Sequence, residues 1–197
     1  MPHIDNKAFF IHIPKTGGTS IEEAFEGKYG ETSKFKEPCS TQHLHYSELE
    51  DLEQYKFVFA IIRDPVERLI SEYKWSRTYW PDAWEKYTFS GFVRHMFSEF
   101  KKNPYVQDNH IRPQVEFIGP AVTNIYRFPE AFAQIPEDLR AIGIKCDELP
   151  ISNSMGECSE FNIRVGSVLL KEIQKFYADD FALYRKLTDG YLGSNLE

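Results

Sequence analysis

Six consecutive residues near the N-terminus have the composition of an anion-binding loop: Lys15, Thr16, Gly17, Gly18, Thr19 and Ser20. The two glycines permit a tight turn and let backbone N–H groups approach a ligand closely. Thr19, with Glu22 three residues later, forms a capping-box pattern, so a helix is predicted from about Ser20. A helix N-terminus beside a lysine and hydroxyls favours an anion. The segment predicts a phosphate-binding loop, and an ordinary strand-to-helix turn is the alternative.

This loop differs from the Walker A loop, GxxxxGK followed by Ser or Thr, because Lys15 precedes the glycines. A second candidate phosphate site follows another apolar run, where Arg63 precedes Asp64 at the start of a predicted helix. A guanidinium matches phosphate oxygens bidentately. For this segment alone, the alternative is a structural ion pair between Arg63 and Asp64, which caps the helix. Two such sites at strand-to-helix junctions together indicate a nucleotide with phosphates at both ends.

His43 and His45 are candidates for a general base. Group transfer to a hydroxyl needs a residue that takes the hydroxyl proton, and a histidine titrates in the right range. Both precede Ser47, which is predicted to cap a short helix through about Tyr55. The positive end of that helix would favour the neutral imidazole that a base requires. Two surface histidines in a polar loop are the alternative.

The segment HIPKTGGTS, residues 12–20, resembles the 5′-phosphosulfate loop of the sulfotransferases, in the form seen in the carbohydrate (family 2) branch. Arg63 and Ser71 fall on the ligands of the 3′-phosphate in that family. The resemblance implies 3′-phosphoadenosine 5′-phosphosulfate (PAPS) as the donor and no metal. It also implies that Lys15 stabilises the charge that develops on the leaving group.

Around the histidines the family pattern is close to H-x-T-x-x-E-L, and its histidine falls on His43. His45 replaces the usual threonine, and the resulting H-x-H is similar to the heparan and uronosyl 2-O-sulfotransferases. The base is therefore His43 or His45, with a narrow preference for His43. His110, Arg112 and Gln114 resemble an H-x-x-x-Q segment near the acceptor cleft, which makes them candidate substrate-side residues.

The elements that must position these residues alternate between strands and helices. Apolar runs predict strands at 9–13, 56–62 and 122–127, and helical spacing predicts helices after Asp64 and at 89–100, 129–142 and 162–187. The predicted fold is α/β: a single domain over 1–197 (core about 8–188), with a central parallel sheet flanked by helices. The resemblance implies the P-loop-NTPase-like fold of the sulfotransferases.

The bulk composition limits the possible functions. A net charge of −7 argues against nucleic acid as a partner, because such binding requires a basic surface. The three cysteines lack CxxC spacing and indicate reduced thiols, not a disulfide framework or a zinc site. No signal peptide or transmembrane run is evident, which predicts a soluble, cytoplasmic protein.

The sequence thus predicts a PAPS-dependent sulfotransferase acting on an acceptor hydroxyl, with a carbohydrate as the family expectation. One alternative is a P-loop-like kinase, with Asp64 as the obvious candidate metal ligand. The other is a module that binds nucleotide or glycan without turnover. The acceptor and the oligomeric state stay open.

Overall fold

The computed structural model describes residues 3–25, 35–36, 38–150 and 163–188. Its strands, in chain order, are β1 (His3–Ile4), β2 (Ala8–Ile11), β3 (Phe35–Lys36), β4 (Cys39–Ser40), β5 (Phe57–Ile62) and β6 (Asn124–Arg127). The main sheet has the order β1-β2-β5-β6, and β3 and β4 form a separate antiparallel pair. In the main sheet β2, β5 and β6 run parallel, and only β1 is antiparallel to its neighbour.

The register of the parallel strands positions both predicted phosphate sites. Ile11 pairs with Ala60 and Ile62 with Arg127, so the carboxyl ends of β2 and β5 lie side by side. The loop after β2 and Arg63 after β5 therefore leave the same edge of the sheet. In open α/β sheets ligands bind at this edge.

The described helices are α1 (Gly18–Ala24), α2 (Pro65–Tyr79), α3 (Pro81–Trp84), α4 (Phe89–Lys102), α5 (Ala131–Ala141), α6 (Ser167–Phe176) and α7 (Ala178–Thr188). Helices α1 and α5 pack on one face of the sheet around Phe10 and Phe59. Helix α7 and a 3₁₀ helix, Gln114–Phe117, pack on the other face. Helices α2, α4 and α6 form a further apolar cluster around Phe92. This arrangement confirms the predicted single-domain α/β fold with helices on both faces.

Helix α2 begins as predicted. The Asp64 carboxylate accepts hydrogen bonds from the backbone N–H groups of Val66 and Glu67, and Pro65 occupies the first helical position. This cap fixes the direction in which α2 leaves β5.

Helix α1 begins differently from the prediction. Its N-cap is Gly17, in the left-handed region with φ 92°, so Thr19 lies inside the first turn. The capping box fails because the Glu22 carboxylate bonds to the His12 ring instead. The helix predicted from Ser47 is also wrong, since two 3₁₀ helices, Tyr46–Glu48 and Leu52–Gln54, take its place. They are separated because the backbone of Asp51 is left-handed.

The long C-terminal helix predicted over 162–187 is two helices, α6 and α7. Tyr177 lies between them with non-helical backbone angles, and its hydroxyl donates to the Ile111 carbonyl oxygen at 2.7 Å. The break lets α7 turn back against the sheet. Among the described residues, no helix combines the length and apolar character needed to cross a bilayer.

Candidate active site

The loop between β2 and α1 forms a tight turn. Thr16 is buried and its hydroxyl donates to the Ile13 carbonyl oxygen at 2.8 Å, which closes the turn. Lys15 (φ 67°) and Gly17 (φ 92°) both adopt left-handed backbone angles. A Cβ atom on Gly18 would lie 2.1 Å from the His12 ring, so only glycine fits there. The first backbone N–H groups of a helix have no partner four residues earlier within the helix, so they are the groups that could bind an anion here.

A cleft of about 460 Å³ opens beside this loop. Its lining combines loop residues, histidines, aromatic rings and amides: His12, Pro14, Lys15, Thr19, Gln42, His43, Trp75, Trp80, Gln107, Asp108 and His110. These residues come from four separate parts of the chain. The fold thus brings the predicted loop lysine and one of the two predicted base candidates to one site.

Three histidine rings lie in a row along the cleft. The His12 and His43 ring centroids are 5.0 Å apart, and those of His43 and His110 are 4.9 Å apart. Both pairs meet nearly edge to face. His43 is therefore the central ring.

Each of these three rings bonds through Nδ1 to its own carboxylate. The distances are 2.7 Å from His12 to Glu22, 2.8 Å from His43 to Asp108 and 2.7 Å from His110 to Glu72. An ionised carboxylate only accepts hydrogen bonds, so the Nδ1 atom carries the proton. For His43 this leaves Nε2 with a free lone pair. These carboxylates are functional candidates that the sequence interpretation missed, since Glu22 was assigned to a cap.

The surroundings of His43 keep its ring neutral at physiological pH. Burial lowers the pKa of His43 to about 3, the nearby His110 and His12 rings add to the effect, and Asp108 opposes it. For Asp108, burial raises the pKa, but hydrogen bonds from His43 and Ser40 outweigh this and lower it to about 2. At neutral pH the pair is a neutral imidazole held by a charged carboxylate.

A strained turn presents Asp108 to His43. Gln107, Asp108 and Asn109 have φ values of 54°, 53° and 65°, three successive non-glycine residues in the left-handed region. Such a conformation costs free energy, and it persists where surrounding contacts determine it. The Asn109 side chain donates to the His43 carbonyl oxygen at 2.8 Å, and the Ser40 hydroxyl donates to Asp108 at 2.7 Å. The turn thus fixes both the ring and the backbone of His43.

Lys15 lies at the same cleft, with its Nζ atom 4.6 Å from the centre of the Trp75 ring. Burial lowers the pKa of Lys15, attraction to Glu72 opposes this shift, and Arg63 adds to it. The ring of Trp75 is in turn 5.1 Å from that of His110. A contact between a cation and an aromatic face is favourable. Trp75 therefore holds the lysine at the wall of the cleft.

Arg63 is fixed at the end of β5 by its own backbone and by an aromatic ring. The Gln114 amide accepts from the Arg63 N–H and donates to its carbonyl oxygen, both at 2.9 Å. The guanidinium lies 4.6 Å from the Phe128 ring centre and donates to the Lys15 carbonyl oxygen at 3.4 Å. Ser71 is half-buried on α2. Arg63 thereby connects the two predicted phosphate sites.

Several predicted residues lie outside the cleft lining. His45 caps a 3₁₀ helix, and its ring approaches Ser47 and Glu48. The Arg112 guanidinium bonds to Asn109 and Glu116. The Gln114 side chain bonds to the backbone of Arg63. Of the predicted substrate-side residues His110, Arg112 and Gln114, His110 is therefore the one that lines the cleft.

Arg68 is a buried residue whose role the sequence did not reveal. Its guanidinium donates to the carbonyl oxygen of Pro14 at 3.0 Å and to those of His110 and Arg112 at 2.8 and 3.0 Å. These bonds join the start of the loop to the segment that carries His110. The sequence position of Arg68 does not predict this buried role, because an arginine in the first turns of a helix is ordinarily solvated.

Three groups lie close enough together to be considered as metal ligands: His43, Asp108 and His110, whose ligand atoms are within 4.8 Å of one another. The Asp108 carboxylate already accepts from His43 Nδ1. A metal ion bound by both would have to replace that hydrogen bond. The arrangement fits a hydrogen-bonded pair better than a metal centre.

Comparison with known proteins gives a match to a family model. No curated protein and no solved structure gives a significant match to the chain. A model of the sulfotransferase family matches residues 4–144, which is more than half of the chain and includes both predicted phosphate sites and every residue that lines the cleft. The chain belongs to the sulfotransferase family.

Proposed function

We propose that this protein transfers the sulfuryl group of PAPS to an acceptor hydroxyl, with His43 as the general base. One observation carries the proposal. The His43–Asp108 pair and Lys15 line the same cleft, beside the glycine turn that would bind the phosphosulfate. A base on one side and a cation on the other are what an in-line transfer to oxygen requires.

The donor would be held at two points. The loop residues Lys15, Thr16, Gly17, Gly18, Thr19 and Ser20 would bind the 5′-phosphosulfate, largely through backbone N–H groups, because the Thr16 hydroxyl is already engaged. Arg63 and Ser71 would bind the 3′-phosphate. That second phosphate would distinguish PAPS from ATP and ADP, which lack it.

In the proposed reaction, Nε2 of His43 takes the proton of the acceptor hydroxyl as its oxygen attacks sulfur. The new bond joins that oxygen to sulfur, and the bond between sulfur and the bridging phosphate oxygen breaks. Lys15 stabilises the charge that develops on this leaving oxygen. Asp108 holds the tautomer of His43 and stabilises the imidazolium that forms.

His43 is a better candidate for the base than His45. His43 lines the cleft and has a carboxylate partner at Nδ1, whereas His45 caps a 3₁₀ helix outside the lining. A carbohydrate acceptor and a cytoplasmic location remain predictions from the sequence.

The kinase alternative is less well supported. Its metal ligand would be Asp64, whose carboxylate accepts two backbone hydrogen bonds at the start of α2. A binding module without turnover would have no use for a buried base–carboxylate pair. The binding module also leaves unexplained why Lys15 and His43 line one cleft.

Turnover on a panel of hydroxyl acceptors tests the proposal. Labelled sulfate should move from PAPS to an acceptor with wild-type protein and not with Lys15→Ala, while Lys145→Ala, at an exposed lysine outside the cleft, should retain the activity. Transfer of phosphate from ATP with magnesium, and none of sulfate, would contradict it.

A further inference from the structure

The carboxyl end of α2 carries a group of aromatic rings beside the cleft. Trp75 and Trp80 meet edge to face with centroids 4.6 Å apart, and the Tyr79 ring lies 5.4 Å from that of Trp75. Tyr79 is 60% exposed and Trp80 47% exposed. In the described part of the chain, the only other large apolar side chain so exposed is Val168. Exposed aromatic rings next to a reactive cleft indicate a surface that a ligand covers.

The positions of Trp75 and Trp80 favour contact with the acceptor over contact with the 3′-phosphate of the donor. Trp75 and Trp80 line the cleft with His43 and Lys15, while the candidate 3′-phosphate ligands, Arg63 and Ser71, are not part of its lining. The Lys15 ammonium lies over the Trp75 ring, so this ring is partly engaged. Trp80 is therefore the ring in the cleft lining that is accessible for stacking with a ligand.

The charge of the cleft indicates what kind of acceptor it accommodates. Among the described lining residues Lys15 is the one lysine or arginine, and Asp108 is the one carboxylate. The mechanism assigns the charge of Lys15 to the leaving group. The remaining polar side chains include the neutral amides of Gln42 and Gln107. Beyond Trp80, the exposed Asp82 and Glu85 carry negative charge and the exposed Lys86 carries one positive charge, so the net charge there is negative.

Among the described residues that line the cleft, a polyanionic chain would meet no lysine or arginine other than Lys15, and Asp108 would repel it. An uncharged sugar ring suits the same surface, because its apolar face packs on an aromatic ring and its hydroxyls bond to amides. The cleft volume is in the range of small-molecule sites.

We propose that the acceptor is an uncharged glycan, one ring of which stacks on Trp80 while a hydroxyl is presented to His43. This inference rests on the proposed function and narrows it. It separates this chain from enzymes that act on acidic polysaccharides, even though its H-x-H segment is similar to theirs.

The test is a titration of the complex with adenosine 3′,5′-bisphosphate, using two matched probes followed by NMR line broadening. The neutral probe is cellotetraose and the anionic probe is tetragalacturonate. We expect the neutral probe to bind more tightly. Trp80→Ala should weaken it about fivefold, the size of a lost aromatic contact, and Trp80→Phe should restore most of the binding. Val168→Ala removes an exposed apolar side chain outside the cleft and should change nothing.

Tighter binding of the anionic probe, no binding of the neutral probe, or neutral binding that Trp80→Ala leaves unchanged would overturn the inference. Weaker binding of the bisphosphate itself by Trp80→Ala would also overturn it, because the ring would then stack on the donor base. Failure of the wild type to bind the bisphosphate at all would instead count against the proposed function. The two failures are therefore distinguishable.

Discussion

Nδ1 of His43 lies 2.8 Å from Oδ2 of Asp108, although the two residues are 65 positions apart in the chain. The Ser40 backbone N–H and hydroxyl donate to the same carboxylate, at 2.5 and 2.7 Å. The carboxylate is thereby fixed before any substrate arrives. This pair gives the cleft a base with one defined proton position.

Replacing the base should stop turnover without preventing donor binding. We expect His43→Asn to lower kcat by about 10²–10⁴-fold, the usual contribution of a positioned general base. His45→Asn is the matched control, since His45 lies outside the cleft lining, and it should stay within a few fold of wild type. Sulfate transfer and bisphosphate affinity would be measured for both. If the His45 variant were the inactive one, our assignment of the base would be wrong.

Removing the charge of Asp108 should impair catalysis through the orientation of His43. In Asp108→Asn the amide can donate to Nδ1, which would leave the proton on Nε2, where it blocks the base. We expect kcat to fall by roughly 10²-fold or more while KM changes little. Asp147→Asn, at an exposed aspartate outside the cleft, is the control. An unchanged kcat in the Asp108 variant would show that the pair has no catalytic role.

The decline of kcat/KM at acid pH should occur at a lower pH than is usual for a histidine base. Burial lowers the pKa of His43 to about 3, so its imidazole stays unprotonated as the pH falls from 8 to 5. We expect kcat/KM to hold over that range and to decline only at lower pH. A decline centred near 6.5, the ordinary histidine value, would be inconsistent with His43 as the base.

The same shift predicts how stability depends on pH. Between about pH 6.5 and pH 3 the unfolded chain binds a proton at residue 43 and the folded chain does not. The free energy of unfolding should therefore fall as pH is lowered through this window. His43→Asn should lose less stability than wild type between pH 7 and pH 5 in denaturant titrations. An equal loss would mean that His43 is not buried in its neutral form.

Gly18 should tolerate no side chain. In Gly18→Ala the Cβ atom would lie 2.1 Å from the His12 ring, so either the ring or the start of α1 must move. Overpacking of this kind costs roughly 1–3 kcal/mol. We expect a lower melting temperature and weaker bisphosphate binding. Gly166→Ala is a matched control, because no atom lies within 4 Å of its added Cβ. Wild-type affinity in the Gly18 variant would argue against the role given to the loop.

The local features were predictable from the sequence because they depend on neighbouring residues. The apolar runs of β2 and β5, the Asp64 cap and the glycine turn all belong to this class. The carboxylate partners of the histidine rings could not be predicted in this way. Glu72, for example, is 38 positions from His110, and only the fold brings the two together. Glu22 was misassigned because a capping box and a histidine partner leave the same local pattern.

The Arg68 guanidinium illustrates the same limit. Its three carbonyl partners lie in two distant segments, so the spacing of apolar residues in α2 does not predict them. The break at Tyr177 likewise depends on a bond to Ile111 that lies outside the helix pattern. Hydrogen bonds between distant segments such as these could not be predicted from local sequence patterns.

The most direct test of the central claim is a calorimetric titration without magnesium, comparing adenosine 3′,5′-bisphosphate with ADP on wild type and Arg63→Ala. We predict that wild type prefers the bisphosphate and that Arg63→Ala loses this preference, at a cost of about 1.5–3 kcal/mol for a lost charged partner. Arg94→Ala, whose guanidinium pairs with Glu172 away from the cleft, should bind like wild type. Equal or tighter binding of ADP by the wild type would contradict the account and favour a kinase-like protein.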